Sequence, residues 1–327
     1  MDKQNILKVK FWGVRGSYPA PGEQTVRYGG NTPCVEIQAG SNLIILDAGT
    51  GIIGLGRELL QRALQAGKAV RATLLFSHMH HDHTQGFPFF APAFMPTTRL
   101  QIFGPHTFER QLEQVLAQNM IPPVFPVTLQ DMSATKEIHS LGENQALLLA
   151  PGESEAVVTP ASAAQGAGPD TVRVRLLRSL AHPGGVSVYR IEWRNRSVVY
   201  ATDTEGYANI DRRLAAFAQG ADLVIHDAQY TEAHYLGLLP GSRSTQGWGH
   251  STVAMACDLA QAAGAGRLAL FHFDPGYADR QIDEMEADAR QRFPGAFAAR
   301  DGQEVALPTH QPGRELQLER MQAVPAA

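Results

Sequence analysis

Cysteine is nearly absent from the 327-residue chain. The two present, Cys34 and Cys257, lie far apart and form no metal-binding spacing, which speaks against a disulfide framework or a cysteine-held zinc. No apolar run approaches the roughly twenty residues that a membrane-spanning helix needs. The stretch Met1-Asp2-Lys3-Gln4-Asn5 leads straight into an alternating segment and has no signal-peptide apolar core, so a reduced, cytoplasmic protein is expected. Basic charge is scarce too. Lys and Arg number 28 against 32 Asp and Glu, a net charge of −4, which argues against a broad nucleic-acid-gripping surface but admits a small anionic substrate. No linker breaks the sequence. It is therefore expected to form one domain, 1–327, with a flexible small-residue insertion at about 150–170 and a loose C-terminal tail from about 305.

What the chain does have is concentrated histidine. Within Ser77-His78-Met79-His80-His81-Asp82-His83-Thr84-Gln85-Gly86, four histidines and an aspartate directly follow the apolar run Ala72-Thr73-Leu74-Leu75-Phe76. Residues two apart at an extended strand end point the same way, so His78 and His80 are placed to share one ion. Asp82 and His83 turn away and suit a second. Imidazole and carboxylate are ligands for Zn²⁺ and its neighbours Mn²⁺ and Fe²⁺.

Apolar runs that end in polar residues recur along the chain. Strands are expected over 6–12, 33–39, 43–46, 72–76, 100–103, 172–177, 187–193, 197–201, 222–225 and 267–271. Helices are expected over about 52–66, 107–118 and 252–263. Strands alternating with helices define an α/β protein. The run 43–46 leads into Asp47-Ala48-Gly49-Thr50-Gly51, and 197–201 leads into Thr202-Asp203-Thr204-Glu205-Gly206, a hint of a duplicated half-structure. Asp47 itself reads as an N-cap or turn acceptor. Phe87, Phe89, Phe90 and Phe94 read as core packing, with base stacking as the alternative.

Seven candidate ligands stand at or just beyond strand ends: His78, His80, Asp82, His83, His182, Asp203 and His272. A two-metal hydrolytic centre needs about three protein ligands per ion and a carboxylate able to bridge them. His78, His80 and His182 are assigned to one ion and Asp82, His83 and His272 to the other, with Asp203 between. The expected cofactors are two divalent ions, Zn²⁺ first and Mn²⁺ or Fe²⁺ as alternatives. A hydroxide bridging them would be the nucleophile, and Asp82 counts among the catalytic groups as well as the ligands.

The order His-x-His-x-Asp-His, then His182, Asp203 and His272, resembles the metallo-β-lactamase superfamily from the Gly13 loop to about Pro275. That resemblance implies an αββα four-layer sandwich of two mixed β-sheets flanked by helices, with a binuclear site at one edge. Gly249-His250-Ser251-Thr252 opening a helix, with Asp227 at an earlier strand end, looks like the pair found in ribonuclease Z and related cyclic-phosphate phosphodiesterases. The implied function is metal-dependent hydrolysis of a phosphodiester, in a small cyclic nucleotide or similar diester. His250 would assist the leaving group and Asp227 would support it. The residues agree, because Ser251 and Thr252 at a helix start offer donors to a phosphate and an imidazole can supply a proton. Asn31 on a glycine loop is a further substrate-binding candidate, with Arg15, Ser17 and Thr32 near it.

Ribonuclease Z carries a long tRNA-gripping arm between the ligands matching His182 and Asp203, whereas here only a hairpin's length separates them. Extended nucleic acid is therefore not the expected partner. The alternatives are a lactone or thioester hydrolase on the same metals, a tRNA 3′-processing endonuclease, and a non-catalytic nucleotide-binding metalloprotein. A helix-rich surface and the 120–170 excursion leave room for a homodimer. His81 reads as solvent-facing or supporting and His226 as structural. His106, His139, His234 and His310 have no matching context, and Arg243 is solvated by default.

Overall fold

The computed structural model describes residues 5–105, 111–153, 155–206 and 210–309. His106 and His310 lie outside them, as do residues 107–110 of the expected helix 107–118. The first sheet is built from β1 (Ile6–Gly13), β2 (Cys34–Ala39), β3 (Asn42–Leu46), β4 (Arg71–Leu75), β5 (Arg99–Pro105) and β6 (Thr135–Leu141). The second contains β7 (Gln145–Leu149), β8 (Val157–Pro160), β9 (Val172–Ser179), β10 (Val186–Trp193), β11 (Arg196–Ala201), β12 (Leu223–Asp227), β13 (Leu268–Phe271) and β14 (Ala296–Ala298). A last strand, β15 (Glu304–Pro308), returns to the first sheet and pairs antiparallel with β1. The strand orders are β15-β1-β2-β3-β4-β5-β6 and β14-β13-β12-β11-β10-β9-β7-β8. Each sheet is mixed: β3 to β6 and β11 to β14 run parallel, and the remaining pairs are antiparallel.

The period of two along each strand decides the layering. Ile44 and Leu46 of β3 join Val9, Ile37, Ile191 and Val198 in the core between the sheets. Leu43 and Ile45 of the same strand instead meet Ile52, Leu55 and Leu59 of helix α1 (Gly51–Ala66) on the outer face. The later helices are α2 (His81–Thr84), α3 (Leu112–Gln118), α4 (Arg212–Phe217), α5 (Glu232–Tyr235), α6 (Val253–Ala262) and α7 (Asp279–Arg292). With α1 and α3 on the first sheet and α4, α6 and α7 on the second, the layers read αββα. Among the described residues, no helix is long and apolar enough to cross a membrane.

Both sets of parallel strands end at one edge, where hydrogen bonds join the sheets. The Tyr189 hydroxyl donates to Phe76 O (2.7 Å), Tyr200 to Asp47 Oδ2 (2.8 Å) and Ser187 N to Ser77 O (2.8 Å).

Regular structure occupies part of each segment expected to be loose. Within residues 150–170, strand β8 pairs with β7 and extends the second sheet, and Ala163–Gly166 form a 3₁₀ turn. The tail from 305 begins as β15, with Val305 and Leu307 buried against β1. Strand β6 and helix α7 were also not anticipated. Both are rich in polar residues, and α7 is held by only a narrow apolar stripe, Ile282, Met285 and Ala289.

Near β15, Asp301 accepts hydrogen bonds from Asn31 N and Nδ2, while its Oδ1 is buried without a partner. Burial pushes this carboxyl up to about 7, against the pull of Asn31 and the Arg15 charge. A folded-state pKa above the unfolded value means that protonation favours folding, and that contribution fades as pH rises from about 4 through 7. The Asp301→Asn variant is expected to gain thermal stability over the parent as pH rises from 5 to 8. Parallel melting curves across that range would contradict this.

Candidate metal centre

At the site edge the chain adopts backbone that L-residues avoid. Asp47 (φ 59°) and His272 (φ 64°) directly follow parallel strands, Asp203 (φ 53°) follows another after one intervening residue, and Ser17 (φ 64°) lies on the facing loop. Each such residue costs about 1–3 kcal/mol, and such outliers cluster where a side chain must be aimed.

The structure brings all seven candidate ligands together. Donor atoms of His78, His80 and His182 lie within 4.8 Å of one another, and so do those of Asp82, His83 and His272. Asp203 stands between the two groups. Its Oδ1 is 3.3 Å from His83 Nε2 and 3.4 Å from His272 Nε2, and its Oδ2 is 3.6 Å from His78 Nε2 and 3.8 Å from His182 Nε2. The strand-end reading needs one amendment: Asp82 and His83 sit on the single turn α2, with His80 as its N-cap. His80 and His81 are exposed, while His78, His83, His182 and His272 are buried, so the centre opens on the His80 side.

The outer nitrogen of each buried ring is held by the protein. His83 Nδ1 donates to Asp47 Oδ2 (2.7 Å), His272 Nδ1 to Gln229 Oε1 (2.9 Å) and His182 Nδ1 to Gly249 O (3.2 Å). His78 Nδ1 meets Ser77 Oγ at 3.1 Å, which leaves its buried Nε2 with no hydrogen-bond partner. An orphaned imidazole nitrogen beside a carboxylate, with neighbouring rings aimed the same way, fits a divalent cation.

The electrostatics fit for the first group, whereas Asp82, Asp203 and Asp47 overcome burial to raise His83 well above its ordinary value, so that ring would lose a proton on binding a cation. Burial, then the neighbouring rings, lowers the pKa of His78, while burial lowers that of His80 and brings His182 to about 4; all three rings are neutral, as ligands must be. Burial opposes ionisation of Asp82 and Asp203, but the surrounding imidazoles hold both carboxyls well below the usual range. His250 Nδ1 donates to Asp227 Oδ2 at 2.8 Å, and despite burial that carboxylate raises the ring to about 9. His250 packs 5.0 Å from His182 and stacks on His272 at 5.0 Å, so it touches one ring from each group.

Ser251 Oγ donates to Thr204 O (2.5 Å) and Ser251 N to Asp227 Oδ1 (2.8 Å), so its donors are committed inside the fold. Thr252 is the buried N-cap of α6, its hydroxyl taken by Met255 N. The Asn31 amide bridges Asp301 and Thr50. Ser251 therefore presents no free donor to a substrate, whereas Thr252 and Asn31 have only part of their hydrogen-bonding capacity taken within the fold. Arg15 is fully buried and donates to the carbonyls of Gly29, Asp274 and Tyr277, a clamp rather than a substrate contact. Ser17 does reach the centre, through its backbone N–H to Asp82 Oδ2 (2.8 Å). Phe87 and Phe90 are core residues, whereas Phe89 and Phe94 are exposed. His226 is buried and bonds Asp227 O and Thr204 Oγ1 away from the ligands; His139 packs on Phe103 and His234 on Tyr277.

Asp47 and Gln229 were missed as orienting groups. Asp47 is not the cap of α1, which is Thr50; it accepts from Ser77 N and Oγ and Tyr200 and fixes His83. Its repeat of the Asp203 pattern was a usable signal, whereas Gln229 had none. The Gly16 backbone packs on His272, where an added Cβ would lie 2.4 Å from the ring. Gly16→Ala is therefore expected to push His272 aside and weaken zinc affinity about tenfold or more. Unchanged affinity by chelator competition would contradict that close fit.

Comparison with known proteins adds a family and a fold. Residues 42–273 match the profile of the β-lactamase superfamily domain. A ribonuclease Z of Thermoplasma acidophilum is 23% identical over 90% of this chain and 94% of its own. One from Gemmatimonas aurantiaca is 39% identical, over 35% of this chain and only 32% of its own length. Among solved structures, the metallo-β-lactamase fold protein YhfI of Bacillus subtilis aligns with TM-score 0.61 at 21% identity, over 92% of this chain and all of its own. A diphosphatase of the PhnP family aligns with TM-score 0.59 at 16% identity, over 93% and 98%.

Proposed function

Because the chain belongs to the metallo-β-lactamase superfamily, we propose that it hydrolyses a phosphodiester, in a small diester such as a cyclic nucleotide, on a pair of metal ions in the cytoplasm. It is a metal-dependent hydrolase; the proposal concerns the bond and the substrate. The observation that carries it is the Asp227–His250 pair lying against both ligand groups. Asp227 fixes Nδ1, which leaves Nε2 of His250 to give a proton to a departing alkoxide or to bind a charged phosphoryl oxygen. His78, His80 and His182 would hold one ion and Asp82, His83 and His272 the other, with Asp203 between. When bound, divalent ions, zinc first among them, lower the pKa of a bound water and polarise phosphoryl oxygens. The buried rings of His78, His83 and His272 keep bulk water from the inner side, while His80 faces the entrance.

The relatives named ribonuclease Z support phosphodiester cleavage, and they favour a second reading in which the substrate is an RNA. The net charge of −4 and the short hairpin between β10 and β11 weigh against an extended polyanion. The test is a substrate panel: bis(p-nitrophenyl) phosphate, cyclic mononucleotides, a precursor tRNA and a lactone. Turnover of the small diesters, abolished by chelation and restored by zinc or manganese, is expected. Faster cleavage of the tRNA would transfer the assignment to the second reading, and turnover of the lactone alone would overturn both.

A further inference from the structure

We propose that Glu205 is a positioning residue that holds His182 and His250 in register with each other. This deepens the phosphodiesterase reading and rests on it. Glu205 lies two residues beyond Asp203, on the turn after β11, and is only 2% exposed. Among the described residues it makes no ion pair. Among the described residues its carboxylate accepts from neutral donors, Tyr235 Oη (2.6 Å) and Gly247 N (2.7 Å) on Oε1 and Gly249 N (2.8 Å) on Oε2. A buried carboxylate gripping two backbone amides fixes that backbone strongly, because hydrogen bonds to a charged acceptor are about twice as strong as neutral ones.

The gripped segment leads directly into the site. Gly249 has φ +92°, and its carbonyl accepts from His182 Nδ1. A Cβ on Gly249 would lie 2.3 Å from that same nitrogen, so its backbone rests on the imidazole. The following residue is His250. On its other side, Ser251 Oγ donates to Thr204 O and accepts from Gly206 N (3.1 Å). The turn Thr204-Glu205-Gly206 therefore clasps both flanks of His250, and through Gly249 O it also sets the tautomer and tilt of His182. Loosening Glu205 would disturb a metal ligand and the proton donor together.

Glu205→Gln keeps the shape but not the acceptor capacity. Whichever way the amide turns, its NH₂ faces a backbone N–H or the Tyr235 hydroxyl that Glu205 had accepted. Zinc affinity, read by competition with a chromophoric chelator, is expected to weaken about 10- to 100-fold, as when a ligand's supporting partner is removed. At saturating zinc, kcat on a cyclic mononucleotide, whose alkoxide leaving group needs the proton from His250, should stay depressed with KM little changed. Tyr235→Phe leaves both amide contacts and should keep zinc affinity within threefold of the parent. A Glu205→Gln protein that melts earlier but has parental zinc affinity and kcat would overturn the proposal and leave Glu205 a loop brace. If that variant does not fold, Glu205→Asp is read by the same criteria. The zinc measurement needs no substrate, so a parent that binds zinc but turns over no diester would fail the functional reading while leaving this test intact.

Discussion

Replacing Asp203 with alanine is expected to remove at least one metal ion and to lower turnover by about a thousandfold, about 4 kcal/mol of lost transition-state stabilisation. Among the described ligands, Asp203 places one oxygen against each group. One buried carboxylate has His83 and His272 on one oxygen and His78 and His182 on the other, all between 3.3 and 3.8 Å. Without it, Asp82 would be the one carboxylate left among the seven ligands, and cations brought into that space would repel each other with less compensation. Metal analysis and a steady-state assay on one preparation decide the matter. Two ions per chain with activity within tenfold of the parent would contradict the central position given to Asp203.

Replacing His250 with alanine should act differently: metal content stays intact while the chemistry slows. Its ring is bonded to Asp227 and packs on His182 and His272. General acid assistance typically contributes about 10²–10⁴-fold, and it matters most when the leaving oxygen is strongly basic. The loss is therefore expected to be about 10²–10⁴-fold on a cyclic nucleotide, whose leaving group is an alkoxide, and much smaller on bis(p-nitrophenyl) phosphate. Asp227→Asn should fall between the parent and His250→Ala on the same two substrates. Equal losses on both substrates would point to phosphate binding rather than proton donation. Full activity on both would remove His250 from the mechanism and favour lactone or thioester chemistry.

The ligands were legible because the chemistry is local in sequence or punctuates a strand. His78, His80, Asp82 and His83 sit within six residues after β4, and Asp203 and His272 terminate apolar runs. What supports them was not legible. Asp47 reaches His83 across 36 positions, and Gln229 reaches His272 across 43. Ser251 and Thr252 were read as phosphate donors because a helix start exposes N–H groups in general; here Asp227, Thr204 and Met255 take up those groups or the hydroxyls beside them. The same limit hid β15, whose partner β1 lies at the other end of the chain. Pattern and period reveal which residues face inward, whereas hydrogen-bond partners distant in sequence follow only from the fold.

The most direct test is to strip the protein with a chelator and titrate zinc back while following diester turnover and bound metal together. The account predicts no turnover without metal, two ions bound per chain at saturation, and activity that rises to its maximum as the second site fills. Turnover by the metal-free protein, or a chain that binds less than one ion firmly, would contradict it.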